Sequence, residues 1–333
     1  MKIKFLFILI LISSLFGGGA HGYHEPDLNM GYVVPFIGIL LSIAVLPLMA
    51  PYFWEKNYGK ISLMWAAAFY IPFLFTGAEF AFHELIKVLL TEYSPFIILL
   101  FSLYTISGGI LLRGSLVGSP KVNLGILAIG TILSSLMGTT GSAMLLIRPL
   151  LRANKGRKNK IHTVVFFIFL VANIGGSLTP LGDPPLFLGF LNGIDFFWTT
   201  TNMLLPMIVL SLILLVVYYF LDSYFYRKEE IPSDQESNKE KLKIEGAFNF
   251  LLIGGVIFAV LLSGMENFKT SLFSVVGVDI VKGNLIRDLM LISLAFLSLK
   301  WTKKEFRSMN AFTWHPILEV AKLFIGIFIT IIP

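Results

Sequence analysis

Asp183 lies in the run Asn173-Ile174-Gly175-Gly176-Ser177-Leu178-Thr179-Pro180-Leu181-Gly182-Asp183-Pro184-Pro185, between the apolar stretches 161–172 and 186–191. A carboxylate beside freed backbone oxygens in a dry place can hold a proton and a small hard cation in turn. Loss of water favours the protonated acid, and a neighbouring cation favours the charged form. The glycines and prolines around Asp183 deny the backbone its regular helical bonds. In hydrocarbon such freed groups are costly unless protein, water or a bound solute satisfies them. The run therefore predicts the unwound centre of a broken helix, with Asn173, Gly175, Gly176, Ser177, Thr179 and Asp183 as candidate ligands. The competing structural role for Asp183 is a helix cap, since Asp followed by Pro is a common helix start.

A second constellation is Gly138-Thr139-Thr140-Gly141-Ser142, inside the apolar stretch 122–151. As one straight helix that stretch would span ~45 Å, beyond a hydrocarbon core of ~30 Å. A turn at the glycines resolves the excess and makes a re-entrant hairpin with both ends on one side. The tip offers the hydroxyls of Thr139, Thr140 and Ser142. These are hard oxygens that suit a small cation such as sodium, with Asp183 as the fourth candidate ligand. The helix leaving the tip also turns its N-terminal N–H groups toward the same space, which suits an anion. A Gly/Thr packing notch is the bland alternative. Two interrupted apolar segments close together in sequence favour a transporter, whose sites lie where discontinuous helices meet.

The elements that must position these residues follow from composition. The chain of 333 residues is 56% hydrophobic with 31 Phe, and only 14% is charged. That balance predicts an all-α polytopic membrane protein. Candidate spans are 32–49, 61–76, 95–112, the broken 161–191, 204–226, 247–264, 289–299 and 317–333. Residues 78–90 mix acids with Phe80, Phe82 and Ile86 and predict a separate helix lying in the outer interface. The net charge of +6 resides in loops and marks cytoplasmic faces rather than nucleic-acid binding. The stretch 152–160 carries five Lys or Arg and no acid, so it reads as cytoplasmic. Zero cysteines exclude disulfides and thiolate chemistry. Residues 1–22 read as a signal peptide or an uncleaved first transmembrane helix. Residues 227–245 read as a mixed-charge cytoplasmic linker.

The segment Ser134-Ser135-Leu136-Met137-Gly138-Thr139-Thr140-Gly141-Ser142-Ala143-Met144-Leu145-Leu146-Ile147-Arg148-Pro149, followed by the break 173–185, resembles the ion transporter superfamily. Within it the chain is most similar to sodium:proton antiporters of the NhaD type and to citrate transporters. Trp314-His315-Pro316-Ile317-Leu318-Glu319-Val320-Ala321-Lys322-Leu323-Phe324 is similar to that superfamily's link into a second repeat. The resemblance implies two inverted repeats, each with a re-entrant hairpin and a broken helix. It maps Thr139, Thr140 and Ser142 to the first sodium-site loop and Gly175, Gly176, Ser177, Thr179 and Asp183 to the facing unwound segment. On that pattern residues 23–226 form a first repeat, and 246–333 open a second that is expected to be incomplete, as in a C-terminally truncated member.

Together these readings point to a secondary transporter of a bacterial-type inner membrane and not an enzyme. Sodium:proton antiport is the leading expectation, and uptake of citrate or another carboxylate is the alternative. A non-transporting fragment and a membrane enzyme are the readings from other classes. Expected partners are a small inorganic cation or a carboxylate and the lipid bilayer, with assembly as a homodimer left open. No cofactor is called for beyond sodium as the transported or coupling ion. Among other side chains, Arg148 faces an acid, an anion or the interface, and Glu319 pairs locally with Lys322. A single cysteine placed at Lys155 in this Cys-free chain tests orientation. A membrane-impermeant thiol reagent is expected to label it only from the cytoplasmic side, and periplasmic labelling would reverse the topology.

Overall fold

The computed structural model describes residues 28–114, 116–229 and 242–332. The segment 1–22 and most of the expected linker lie outside them. Five helices among the described residues are long and apolar enough to cross a membrane, and the protein is an all-α polytopic membrane protein in its overall class. Two short antiparallel ribbons modify that class. The chain divides into two compact units.

The first unit takes the described residues up to Ile97, then Asn267–Leu285, and the chain from Trp314 onward. Its helices are α1 (Val34–Met49), α2 (Pro51–Leu74) and α3 (Ala78–Lys87). A π-turn, Val88–Tyr93, joins α3 to α4 (Ser94–Ser107), so 78–107 is one helical run rather than an interface helix and a separate span. The physical reason lies at Pro95. Its ring and missing N–H conflict with a regular turn behind it, and one widened turn relieves the conflict.

The helix His315–Thr330 packs on α2 with little between them. Ser62 Oγ donates to Lys322 O at 2.7 Å, and a methyl at Gly326 would stand 2.9 Å from Ser62 O. Phe96 stacks on Phe324 with centroids 4.7 Å apart. Lys322 sits over the Tyr58 ring, and Glu319 faces His315 at 3.8 Å, in place of the local Glu319–Lys322 pair. One ribbon, Ser271–Val275 with Val278–Val281, turns through Val276 and Gly277, both at positive φ. Such a two-residue turn matches strand twist.

The second unit holds Ile98–Glu266 and Ile286–Thr313. Here α4 stops at Ser107, earlier than the expected span end at Leu112. The chain leaves as β1 (Leu111–Arg113), paired with β2 (Lys243–Glu245) in the register Leu111↔Glu245 and Arg113↔Lys243. The last three residues of the expected linker are thus a strand.

The carbonyls released at this helix end are met by side chains. Asn310 Nδ2 donates to Gly108 O at 3.1 Å and Ile110 O at 2.6 Å, and Asn249 Nδ2 donates to Gly109 O at 3.2 Å. Arg307 Nη1 donates to Thr105 O at 2.5 Å. Burial pulls the Arg307 pKa below the usual arginine value, although a guanidinium stays charged.

A helical hairpin follows, α5 (Pro120–Met137) and α6 (Thr139–Ala153), then α7 (Ile161–Leu170), a 3₁₀ turn (Ile174–Leu178), α8 (Pro184–Leu191) and α9 (Trp198–Arg227). The open end of the hairpin is clasped to α7 and α9 by buried polar groups. Asp222, fully buried on α9, accepts from Arg157 at 2.7 Å, His162 at 2.8 Å, Asn123 at 3.1 Å and Tyr218 at 3.0 Å. Asn123 and Asn154 exchange amide bonds at 2.9 and 2.8 Å across the two hairpin arms. Arg157 also donates through Nε to Glu229 at 3.2 Å. The stretch 152–160 is therefore only partly a solvated loop, because Arg157 is 4% exposed.

Removing one partner from such a cluster strands the others. Asp222→Ala is expected to cost roughly 3–5 kcal/mol, because it leaves the Arg157 guanidinium buried without its near counter-charge. Thermal unfolding of the purified protein in detergent checks this, and an unchanged midpoint would remove the clasp from the account of stability.

Candidate transport site

The hairpin tip and the broken helix satisfy one another. Helix α5 ends at Gly138, where φ is +80°, a conformation that glycine adopts without strain. One residue suffices to reverse the chain. Thr139 to Ser142 already belong to the first turn of α6, so the tip is sharper than the five-residue turn expected. At that turn Thr139 N–H donates to Gly182 O at 3.0 Å. Ser135 Oγ donates to Gly175 O, and Thr179 Oγ1 returns a bond to Ser135 O. Ser134 Oγ donates to Val171 O at 2.6 Å. Thr199 and Thr200 on α9 both donate to Leu178 O, at 3.0 and 2.5 Å.

The glycines of the break are spacers for this contact. A methyl on Gly176 would stand 2.7 Å from Thr139 Cγ2, and one on Gly175 would stand 2.9 Å from Ser134 Cβ. A methyl on Gly182 would run into the Gly176 backbone, 2.7 Å from its carbonyl carbon. Two strands of unwound chain and a helix tip therefore meet at backbone distance, which only glycine permits.

The expected site residues separate into two groups. Thr139, Ser142, Gly175, Gly176, Thr179 and Asp183 lie at or beside the contact between tip and break. Thr140 and Asn173 are exposed, and Asn173 bonds its own helix at Ile168 O. Ser177 likewise bonds locally to Ile174 O at 2.8 Å.

Ser142 is fully buried, and its hydroxyl has no hydrogen-bond partner. A buried hydroxyl left unpaired costs about 1–3 kcal/mol, so this oxygen is positioned at a price that a ligand would recover. Asp183 occupies the N-cap position of α8 but makes no side-chain capping bond. The carboxylate is thus not used to hold the helix start.

Two features escape a reading of the sequence. Ser134 and Ser135 precede the tip and look like ordinary helix residues, yet they carry the bonds to the break. Arg287 on the helix Lys282–Trp301 is fully buried, paired with Asp288 at 2.9 Å, and lies over the Phe187 ring one turn beyond Asp183. An arginine in an apolar stretch is the available signal, but nothing local tells which helix it meets. Arg148 donates to Met309 O at 3.3 Å at an exposed position, away from the break.

The arrangement brings the N-termini of α6 and α8 to one place, since Thr139 and Gly182 are bonded and α8 starts at Pro184. Each helix start carries about half a positive charge. At α8 Pro184 and Pro185 have no N–H and Leu186 N–H is bonded to Asp183 O, so that end contributes potential rather than donors. The site can therefore take an anionic group, with Asp183 available to a cation beside it.

A family model whose description reads "Putative citrate transport" matches residues 25–333. No curated protein and no solved structure matches the chain.

Glycine spacing gives a paired test. Gly182→Ala is expected to destabilise the protein, because the methyl overlaps backbone that cannot move aside. Gly125→Ala, inside α5 with no neighbour within 4 Å of the added carbon, is expected to stabilise by about 0.5–1 kcal/mol. Unfolding midpoints that move in the same direction for both would refute the close-contact account.

Proposed function

The chain belongs to this citrate-transport family, and from that membership we propose that it is a secondary transporter carrying a citrate-class carboxylate across the inner membrane. The observation that carries the reading is the convergence of two helix N-termini at the Thr139–Gly182 bond. A carboxylate of the substrate would be drawn by the potential of both helix starts and would accept from the first-turn N–H groups of α6 beyond Thr139 and from Ser142 Oγ. In this reading the hairpin 122–151 is re-entrant and the pair of broken elements is half of an inverted-repeat site. Arg287 stands beside α8 with its charge matched by Asp288 and adds no net charge to the site. Asp183 would bind the coupling ion, sodium or a proton, beside the substrate. The Asp183 charge has the same sign as the substrate's carboxylates and repels them, so a cation between the two binds with the substrate rather than against it.

One observation favours sodium:proton exchange as a second reading. Asp183 forms no cap, and a half-buried acid free of structural duty is what a carrier of protons and sodium needs. The two readings part in vesicles containing the whole chain. Carboxylate transport predicts uptake of labelled citrate driven by a sodium or proton gradient. Exchange predicts sodium-driven proton flux with no citrate present.

Asp183→Asn keeps the side-chain oxygen and removes the charge. It is expected to abolish gradient-driven citrate uptake while leaving membrane insertion intact. Wild-type uptake by the Asn variant would exclude Asp183 as the coupling residue.

A further inference from the structure

The clasp around Asp222 has a surface. Glu229 Oε1 accepts the Asn159 N–H at 2.6 Å while Oε2 accepts from Arg157, so the loop after α7's neighbour hairpin and the end of α9 are tied together. Around that tie Lys155, Lys158, Arg227 and Lys228 are exposed. Among the described residues the two acids at this end, Asp222 and Glu229, both pair with Arg157. That cluster carries one net negative charge against the four exposed cations, which stay in excess. Lys228 rests over the exposed Tyr224 ring at 4.2 Å.

The depth of these cations is set by their helices. On α9 an exposed apolar stripe passes through Leu205, Leu212, Val216 and Phe220 and ends at Tyr224, one turn before Arg227. On α7 a second stripe, Ile161, Val165, Ile168 and Phe169, begins directly after Lys160. Apolar stripes of that kind face lipid tails, and α7 and α9 pack together. Both stripes stop at the same tied end. Exposed cations that begin where lipid-facing surface stops, with a tyrosine among them, lie at the level of the headgroups.

We propose that Lys155, Lys158, Arg227 and Lys228 form a headgroup site for anionic phospholipid, held in shape by the Arg157–Asp222–Glu229 cluster beneath. The ligand chemistry is a phosphodiester with net negative charge. Four ammonium and guanidinium groups around a rigid rim supply donors from two chain segments. The buried acids hold the rim without facing the lipid. A solvated loop would scatter the same charges and select no lipid.

The test uses the purified full chain, exchanged against equimolar phosphatidylglycerol and phosphatidylcholine of matched acyl chains, with bound lipid read by native mass spectrometry. The wild-type protein is expected to retain phosphatidylglycerol with about tenfold or greater preference at low salt, from about fivefold per surface cation at most. The preference is expected to shrink as sodium chloride rises. Lys155→Gln/Lys158→Gln/Arg227→Gln/Lys228→Gln is expected to bind both lipids alike with an unchanged thermal midpoint in phosphatidylcholine. Lys56→Gln/Lys60→Gln, exposed cations on α2, are expected to keep the preference. Should the fourfold variant lose its fold, the single variants Lys158→Gln and Arg227→Gln are each expected to lower the preference about threefold. The proposal is overturned by a wild-type protein with no preference, by a folded fourfold variant that retains it, by singles that both leave it unchanged, or by a control pair that loses as much.

Discussion

Backbone polar groups freed inside a membrane protein must be satisfied by protein, water or a bound solute, and this requirement organises the second unit. Gly138 interrupts one helical hairpin, and the chain between Leu170 and Pro184 interrupts another helix. Each interruption supplies what the other lacks. Gly182 O takes the Thr139 N–H, Gly175 O takes Ser135 Oγ, and Ser135 O takes Thr179 Oγ1. Serine and threonine donate there because their short side chains reach a carbonyl one helix away. Glycines stand opposite because nothing larger leaves room. The same rule explains Asn310 and Asn249, which cover the carbonyls at the end of α4.

What is left unsatisfied gains meaning against that background. The Ser142 hydroxyl is buried and unpaired, and Asp183 makes no cap, in a region where most neighbouring polar groups have found partners. The helix starts of α6 and α8 add positive potential at the same place. Membership of a citrate-transport family and this geometry bear on the same conclusion from independent directions. The family concerns the whole chain from residue 25, and the geometry concerns a handful of atoms around the tip.

The ionic cluster at the hairpin's open end has a different physical character. Asp222 accepts from four side chains drawn from the hairpin, the basic stretch, α7 and α9. A carboxylate bonded to four side chains serves position more than chemistry. Its effect is to fix the base of the hairpin against the helices on either side of the break. The tip is ~22 Å away along α5, so small rotations at the base would be amplified there. A rigid base is thus a condition for a tip that meets the break at backbone distance.

The membrane class and the presence of both breaks were legible in the residues themselves. Hydrophobic content decides the solvent of the fold, and glycine and proline inside apolar runs decide where helices stop, since both effects are local. The sharpness of the tip, the β1–β2 ribbon and the cluster around Asp222 were not legible. Each depends on a partner far along the chain: Leu111 on Glu245, Asn123 on Asp222, Thr139 on Gly182. The sequence also marks Thr140 and Asn173 as equals of Thr139 and Thr179, because the residue types are alike. Tertiary structure alone separates them, by turning one pair toward the contact and leaving the other exposed. Spacing along a chain specifies which groups are available, and only the packing of helices decides which of them are withdrawn from water.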